Sequence, residues 1–256
     1  SLGKWFDNTC RDKGSVRQME EQLESWLQSM DKRGLPGKFK AWIYQHGILP
    51  RVLWPLLVYE VSVSTVEALE RRVTTHLRKW LGLPQSFSNI SFYGTSNRME
   101  LPMTAISEEF KVSKVRQVLM LRDSPDEKVA KAGVQVPTGR KWKAEQAVTA
   151  AEARLTHKTI VGQITKERQG LGSNSDPLWH KASKKERHKL VQKEERDEEE
   201  ESRRARAAGM KHQGAWLNWE GARTRKVSWS EMWRMDTWRT RFLLQEIGRA
   251  SCRERV

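Results

Sequence analysis

Residues 36–84 read PGKFKAWIYQHGILPRVLWPLLVYEVSVSTVEALERRVTTHLRKWLGLP, the most apolar stretch of a strongly basic chain. Pro36 suits a first helical position, and Phe39, Trp42, Ile43 and His46 follow at helical spacing. Pro50 and Pro55 bracket Val52, Leu53 and Trp54, and each removes a backbone donor. The stretch therefore predicts two helices hinged around a proline-interrupted apolar core, with the prolines at the bend. Ser64 and Glu67 have capping-box spacing, and behind them Val66, Leu69, Val73, Leu77, Trp80 and Leu81 hold one face. Arg71, Arg72, Arg78 and Lys79 lie largely off that face, and Gly82 then Pro84 stop the helix.

Working outward, residues 1–14 fit a short β element and turn, with Asp7-Asn8 and Lys13-Gly14 as turn signals. Ser15 can cap a helix carrying Val16, Met19, Leu23, Trp26, Leu27 and Met30, a stripe that predicts packing on the next helix. After Pro84 comes a polar loop from Ser86 to Asn97, anchored by Phe87, Ile90, Phe92 and Tyr93. A helix is expected from about Thr104 to Arg122, broken by Ser124-Pro125-Asp126, and another from Lys143 to Glu167. Residues 170–179 hold Gly, Ser, Asn and Pro and read as a linker.

Residues 180–210 are dominated by Lys, Glu, Arg and Asp, with Leu190 and Val191 the large apolar residues of the Lys181 to Arg206 run. That predicts either a solvated single helix held by i,i+4 charge pairs or a disordered spacer between two small domains. Residues 211–246 recover apolar content with Trp216, Trp219, Trp229, Trp233 and Trp238. There Ser228 and Glu231 form a second capping box before Met232, Met235, Phe242 and Leu243, and the spacing of Trp229, Met232 and Trp233 reads as a small helical core in preference to a stacking surface. Residues 247–256 resemble the translation of a sequencing adapter and are set apart from the fold; they hold three Arg and one Glu, so the basic excess survives without them. The fold expected is mainly α, with residues 15–100 as one helical domain and 101–169 as a helical connector.

Across 256 residues, 37% are apolar and 31% charged, and the formal net charge is +15. The length is enough to bury a core. The charge favours a polyanionic partner, either nucleic acid or an anionic membrane surface. No apolar run approaches the roughly 20 residues that span a bilayer, and no signal-peptide pattern opens the chain, so an intracellular protein of nucleus or cytoplasm is expected. Cys10 and Cys252 are too few for a disulfide framework or a thiolate metal site.

Catalytic frames are absent from the sequence. No Gly-x-Ser-x-Gly frame holds a nucleophile, and His46, His76, His157, His180, His188 and His212 lack zinc-site spacing. Gly170 and Gly172 lack the third glycine of a phosphate cradle. What remains is cationic. Arg71, Arg72, Arg78 and Lys79 share a helix, and Arg140, Lys141 and Trp142 share a loop; these seven are the candidate nucleic-acid contacts. They read either as phosphate ligands or as a solvated basic face, and Trp142 either as a base-stacking residue or as the anchor of its loop.

The order Ile48-Leu49-Pro50-Arg51, an apolar run, Tyr59-Glu60, Ser64 to Arg71 and Leu77 to Pro84 resembles the segment after the palm in reverse transcriptases of non-LTR retrotransposons. The resemblance continues through Leu2-Gly3-Lys4-Trp5, Glu108 to Val112, Thr138 to Trp142, Arg168 to Gly172, Gly214-Ala215-Trp216 and Arg241-Phe242-Leu243. It implies that residues 1–14 end the palm, that 15–100 form the thumb and that the partner is an RNA/DNA template-primer duplex. In that family an adjacent Asp-Asp pair in the palm holds divalent metal, Mg being the expected ion. This sequence has no Asp-Asp pair, so the resemblance implies an upstream palm and fingers, no cofactor here and no polymerase activity in this piece alone. The competing expectation is a non-enzymatic basic helical protein that meets an acidic protein partner or an anionic membrane surface.

Overall fold

A computed structural model describes residues 12–85, 87–93, 101–169, 179–210, 227–236 and 238–239. Of the β element expected over residues 1–14, residues 1–11 lie outside that set, as do the linker residues 170–178, Trp216 and Trp219 within residues 211–226, and residues 240–256 with Phe242 and Leu243. The described chain is mainly helical; among the described residues no strand is longer than the isolated bridges from Tyr93 to Pro102 and Met103.

Helix α1 spans Lys13–Lys32 and buries Met19, Leu23 and Leu27, so the expected stripe faces the core. Its N-cap is Asp12, not Ser15, and Lys13-Gly14 are its first residues instead of a turn. Helix α2, Gly37–Ile43, has Pro36 as its N-cap residue, one place before the expected position. The prolines do not hinge the chain. A π-turn over Tyr44–Ile48 runs directly into α3, Leu49–Val58, and Leu49 donates to the Tyr44 carbonyl five residues back. That wider turn relieves the clash a proline ring makes with the carbonyl four residues before it, so Pro50 enters at the start of α3. The bend falls instead at Tyr59–Ser62, where both end residues are extended.

Helix α4, Val63–Leu81, packs against α1, α2 and α5. Ser62 caps it by accepting from Thr65 N–H, so the cap lies two residues before Ser64. Gly82 ends it with φ 66°, and Leu83 N–H returns to the Arg78 carbonyl. A Cβ on Gly37 would lie 1.8 Å from the Trp80 carbonyl oxygen, so α2 begins in backbone contact with the last turn of α4. Phe87, Ile90, Phe92 and Tyr93 are all buried, as anchors of their loop should be.

Helix α5, Ile106–Arg122, is the central element and packs on α3, α4, a short helix α6 at Glu127–Lys131, α7 at Ala144–Gln169 and α8 at Lys184–Ala208. Ile106 and Phe110 of α5 join the main core with α1, α3 and α4. Val115 and Leu119 of the same helix meet Val148 and Ala151 of α7 and Val191 of α8 in a second cluster. Each buried Val, Leu, Ile or Phe side chain of these clusters contributes about 1.5–3 kcal/mol by leaving water.

The charged segment corrects the sequence reading most. Residues 184–208 are helical, with a full Ser183/Glu186 capping box, but the helix is neither solvated nor a spacer. It packs against α5 and α7, and it buries Glu194, Glu195, Glu200 and Arg203 beside Val191 and Ala207. Its pairs are mostly tertiary: Arg196 with Glu109, Arg203 with Glu108, Lys111 with Glu199 at 2.5 Å, and Lys158 with Glu194 at 2.7 Å. Buried charge is tolerated when partnered; α7 partners Glu194 and α5 partners Arg203, while Glu200 pairs with Arg204 of α8 itself. Helix α9, Trp229–Arg234, is capped by Ser228 and buries Met232, whereas Trp233 is 48% exposed and Trp238 69%. Trp233 leans on Trp42 of α2 with ring centroids 5.9 Å apart, so this part of the expected Trp core is an exposed aromatic cluster.

Candidate nucleic-acid interface

The sequence places four cations on α4 and two in the 138–142 loop, and the structure brings the loop onto the start of α4. Val63 N–H donates to the Thr138 carbonyl at 3.0 Å, and Lys141 Nζ lies 2.6 Å from both carboxylate oxygens of Glu67. Gly139 makes the approach possible: its φ is 91°, and a Cβ there would meet the Ser62 Cβ at 2.9 Å. Helical geometry puts Glu67, Arg71 and Arg78 on one line with buried Thr74 at the edge of the core face of α4, with Arg72 and Lys79 on its flank toward α1. Arg140 and Lys141 therefore extend the α4 surface at its N-terminal end.

The seven candidates differ in what already holds them. Arg71 and Arg140 are exposed and make no side-chain hydrogen bond or ion pair among the described residues. Arg72 is 49% exposed at the side chain and stands 3.9 Å from Glu20. Arg78 is turned inward and donates from Nε to the Phe87 carbonyl at 2.8 Å; burial lowers its pKa, and the nearby Tyr93 opposes that shift. Lys79 is tied to Asp31 at 2.6 Å. Burial pushes the Asp31 carboxyl up, but hydrogen bonds from Lys79, His76 and Trp80 outweigh it and hold the pKa at about 2. Arg71, Arg72 and Arg140 are thus the cations available to a polyanion, while Arg78 fastens the chain after α4 and Lys79 fastens α4 to the end of α1.

Trp142 has a structural account of its own. Its indole is half-buried and packs against both apolar clusters, and Thr138 Oγ1 donates to its backbone carbonyl at 2.7 Å. Lys111 Nζ lies 5.9 Å from its ring centre. The residue anchors the loop that carries Arg140 and Lys141, which is one of the two roles its sequence context allowed.

The counter-charges were not legible in the sequence. Asp31 and Glu67 lie 48 and 74 residues from the lysines they bind, and no local pattern pairs them. Among the described residues no group of three or more His, Cys, Asp or Glu could hold a metal ion, and no helix is long and apolar enough to cross a membrane. No protein family, no curated protein and no solved structure matches the chain.

Proposed function

We propose that the chain is the palm end, thumb and connector of a non-LTR retrotransposon reverse transcriptase, and that its own activity is non-specific binding of a template-primer duplex. The observation that supports this best is the placement of exposed Arg71 and half-exposed Arg72 on α4 beside the 138–142 loop that carries exposed Arg140, with Arg71 and Arg140 making no ion pair among the described residues. Arginines on a helix surface and on a loop packed against it suit contacts to a sugar-phosphate backbone, which read no base. The helical frame around it is stiffened by Gly37 against Trp80 and by the Asp31 bonds, as a clamp on a duplex requires. The catalytic palm, with its metal-binding carboxylates, belongs to the same polypeptide in this reading. A fluorescent RNA/DNA hybrid should bind the full chain at low salt with an affinity that falls steeply as salt rises. Absent or salt-insensitive binding would reject the reading, and stronger binding to acidic peptides or anionic vesicles would favour the competing one.

A further inference from the structure

A groove of about 260 Å3 lies between α1 and α3, on the side of α1 away from α4, and its walls include Gln18, Gln22, Trp26, Arg51, Trp54 and Tyr59. Trp54 is 55% exposed, an unusual state for the largest apolar side chain, and Trp26 is half-buried at the edge of the core. None of the residues lining the groove is acidic, in a chain that otherwise interleaves both signs of charge. Gln18, Gln22, Trp26, Arg51 and Trp54 make no side-chain hydrogen bond or ion pair among the described residues. The groove thus joins aromatic faces, two free amides and an unpaired guanidinium in one concave place. Its volume falls below the roughly 300 Å3 at which pockets for drug-sized ligands begin, so it admits one planar ring system.

We propose that this groove takes one unpaired nucleobase of a single-stranded nucleic acid. The base stacks on Trp54 and Trp26, the Gln18 and Gln22 amides meet its edge, and Arg51 meets the adjoining phosphate. Aromatic faces accept every base, and amides can both donate and accept, so recognition is tolerant of sequence. The free guanidinium and the lack of a carboxylate favour an anion over a cationic or neutral peptide. The inference rests on the reading of the chain as a nucleic-acid binder, but not on α4, which would hold a duplex from outside by its phosphates. A single strand continuing from such a duplex would find this groove on the other side of α1.

The test uses the full chain, a labelled ten-nucleotide oligouridylate and the same ribose-phosphate strand made abasic. The wild type should prefer the oligouridylate. Trp54→Ala should weaken oligouridylate binding roughly 5- to 100-fold and abolish the preference, whereas Trp54→Phe keeps most of it. Arg51→Ala should weaken both strands alike. Arg71→Ala/Arg72→Ala should leave the ratio between the two strands unchanged even if it abolishes hybrid binding, which separates failure of the α4 reading from failure of this one. Equal wild-type affinity for both strands, or a preference that survives Trp54→Ala with circular dichroism unchanged, overturns the proposal. So does a proline-rich peptide whose binding needs Trp54 while oligouridylate binding does not.

Discussion

Arg203 of α8 donates to the Glu108 carboxylate of α5 inside the protein, with only 8% and 3% of the two side chains exposed. Burial pushes the Glu108 carboxyl up, and the charges of Arg203 and Arg196 pull against that shift. The pair fixes how a helix with little apolar surface sits on the central helix.

Removing one partner should therefore be worse than removing both. Arg203→Ala leaves a buried carboxylate and is expected to cost about 3–5 kcal/mol, while Glu108→Leu/Arg203→Met costs far less or stabilises. Chemical denaturation of both variants measures the difference. Equal losses would mean that α8 is held by its other contacts.

Gly37→Ala should destabilise the α2/α4 contact by about 1–3 kcal/mol or more, because its Cβ meets the Trp80 backbone, which cannot swing aside as a side chain can. Gly34→Ala, where a Cβ meets nothing within 4 Å, serves as the control. The two melting temperatures should separate clearly.

The Asp31 site sets an acid limit. A carboxyl held down from 3.8 to about 2 stabilises the fold fully above pH 4 and loses that contribution as pH falls toward 2. Glu108 and Glu195 have raised pKa values, chiefly from burial, and act with the opposite sign, favouring the folded form at low pH. Asp31→Asn should accordingly melt lower than wild type at pH 7, with the gap closing between pH 4 and pH 2. A constant gap would remove Asp31 from the account.

Glu67→Gln should release Lys141 at little cost, since the pair is exposed. Hybrid binding should then tighten, and the slope of log affinity against log salt should steepen by about one phosphate contact. Unchanged binding would place Lys141 off the duplex path.

Where periodicity and end signals were local, the sequence was legible. The face of α4, the stop at Gly82, the anchors Phe87, Ile90, Phe92 and Tyr93, and the mainly helical class all follow from 3.6-residue spacing and from glycine at positive φ. Tertiary contacts decided the rest. Ser62, not Ser64, takes the cap, beside a Val63 N–H that the distant Thr138 carbonyl accepts, and Pro50 is absorbed by a π-turn that no simple pattern announces. Helix α8 looked solvated because its buried stripe is built largely of Glu and Arg, with partners for Arg203 on α5 and for Glu194 on α7. The cations of α4 were visible, but not which of them Asp31 and the Phe87 carbonyl had already claimed.

The central claim is that α4 and the 138–142 loop bind a duplex through phosphates. Its most direct measurement is the salt dependence of RNA/DNA hybrid binding by the full chain and by Arg71→Ala/Arg72→Ala/Arg140→Ala. Three phosphate contacts correspond to a slope of roughly −3 in log affinity against log salt, which the triple variant should lose while its circular dichroism stays unchanged. A triple variant that keeps both the affinity and the slope of the wild type would contradict the account.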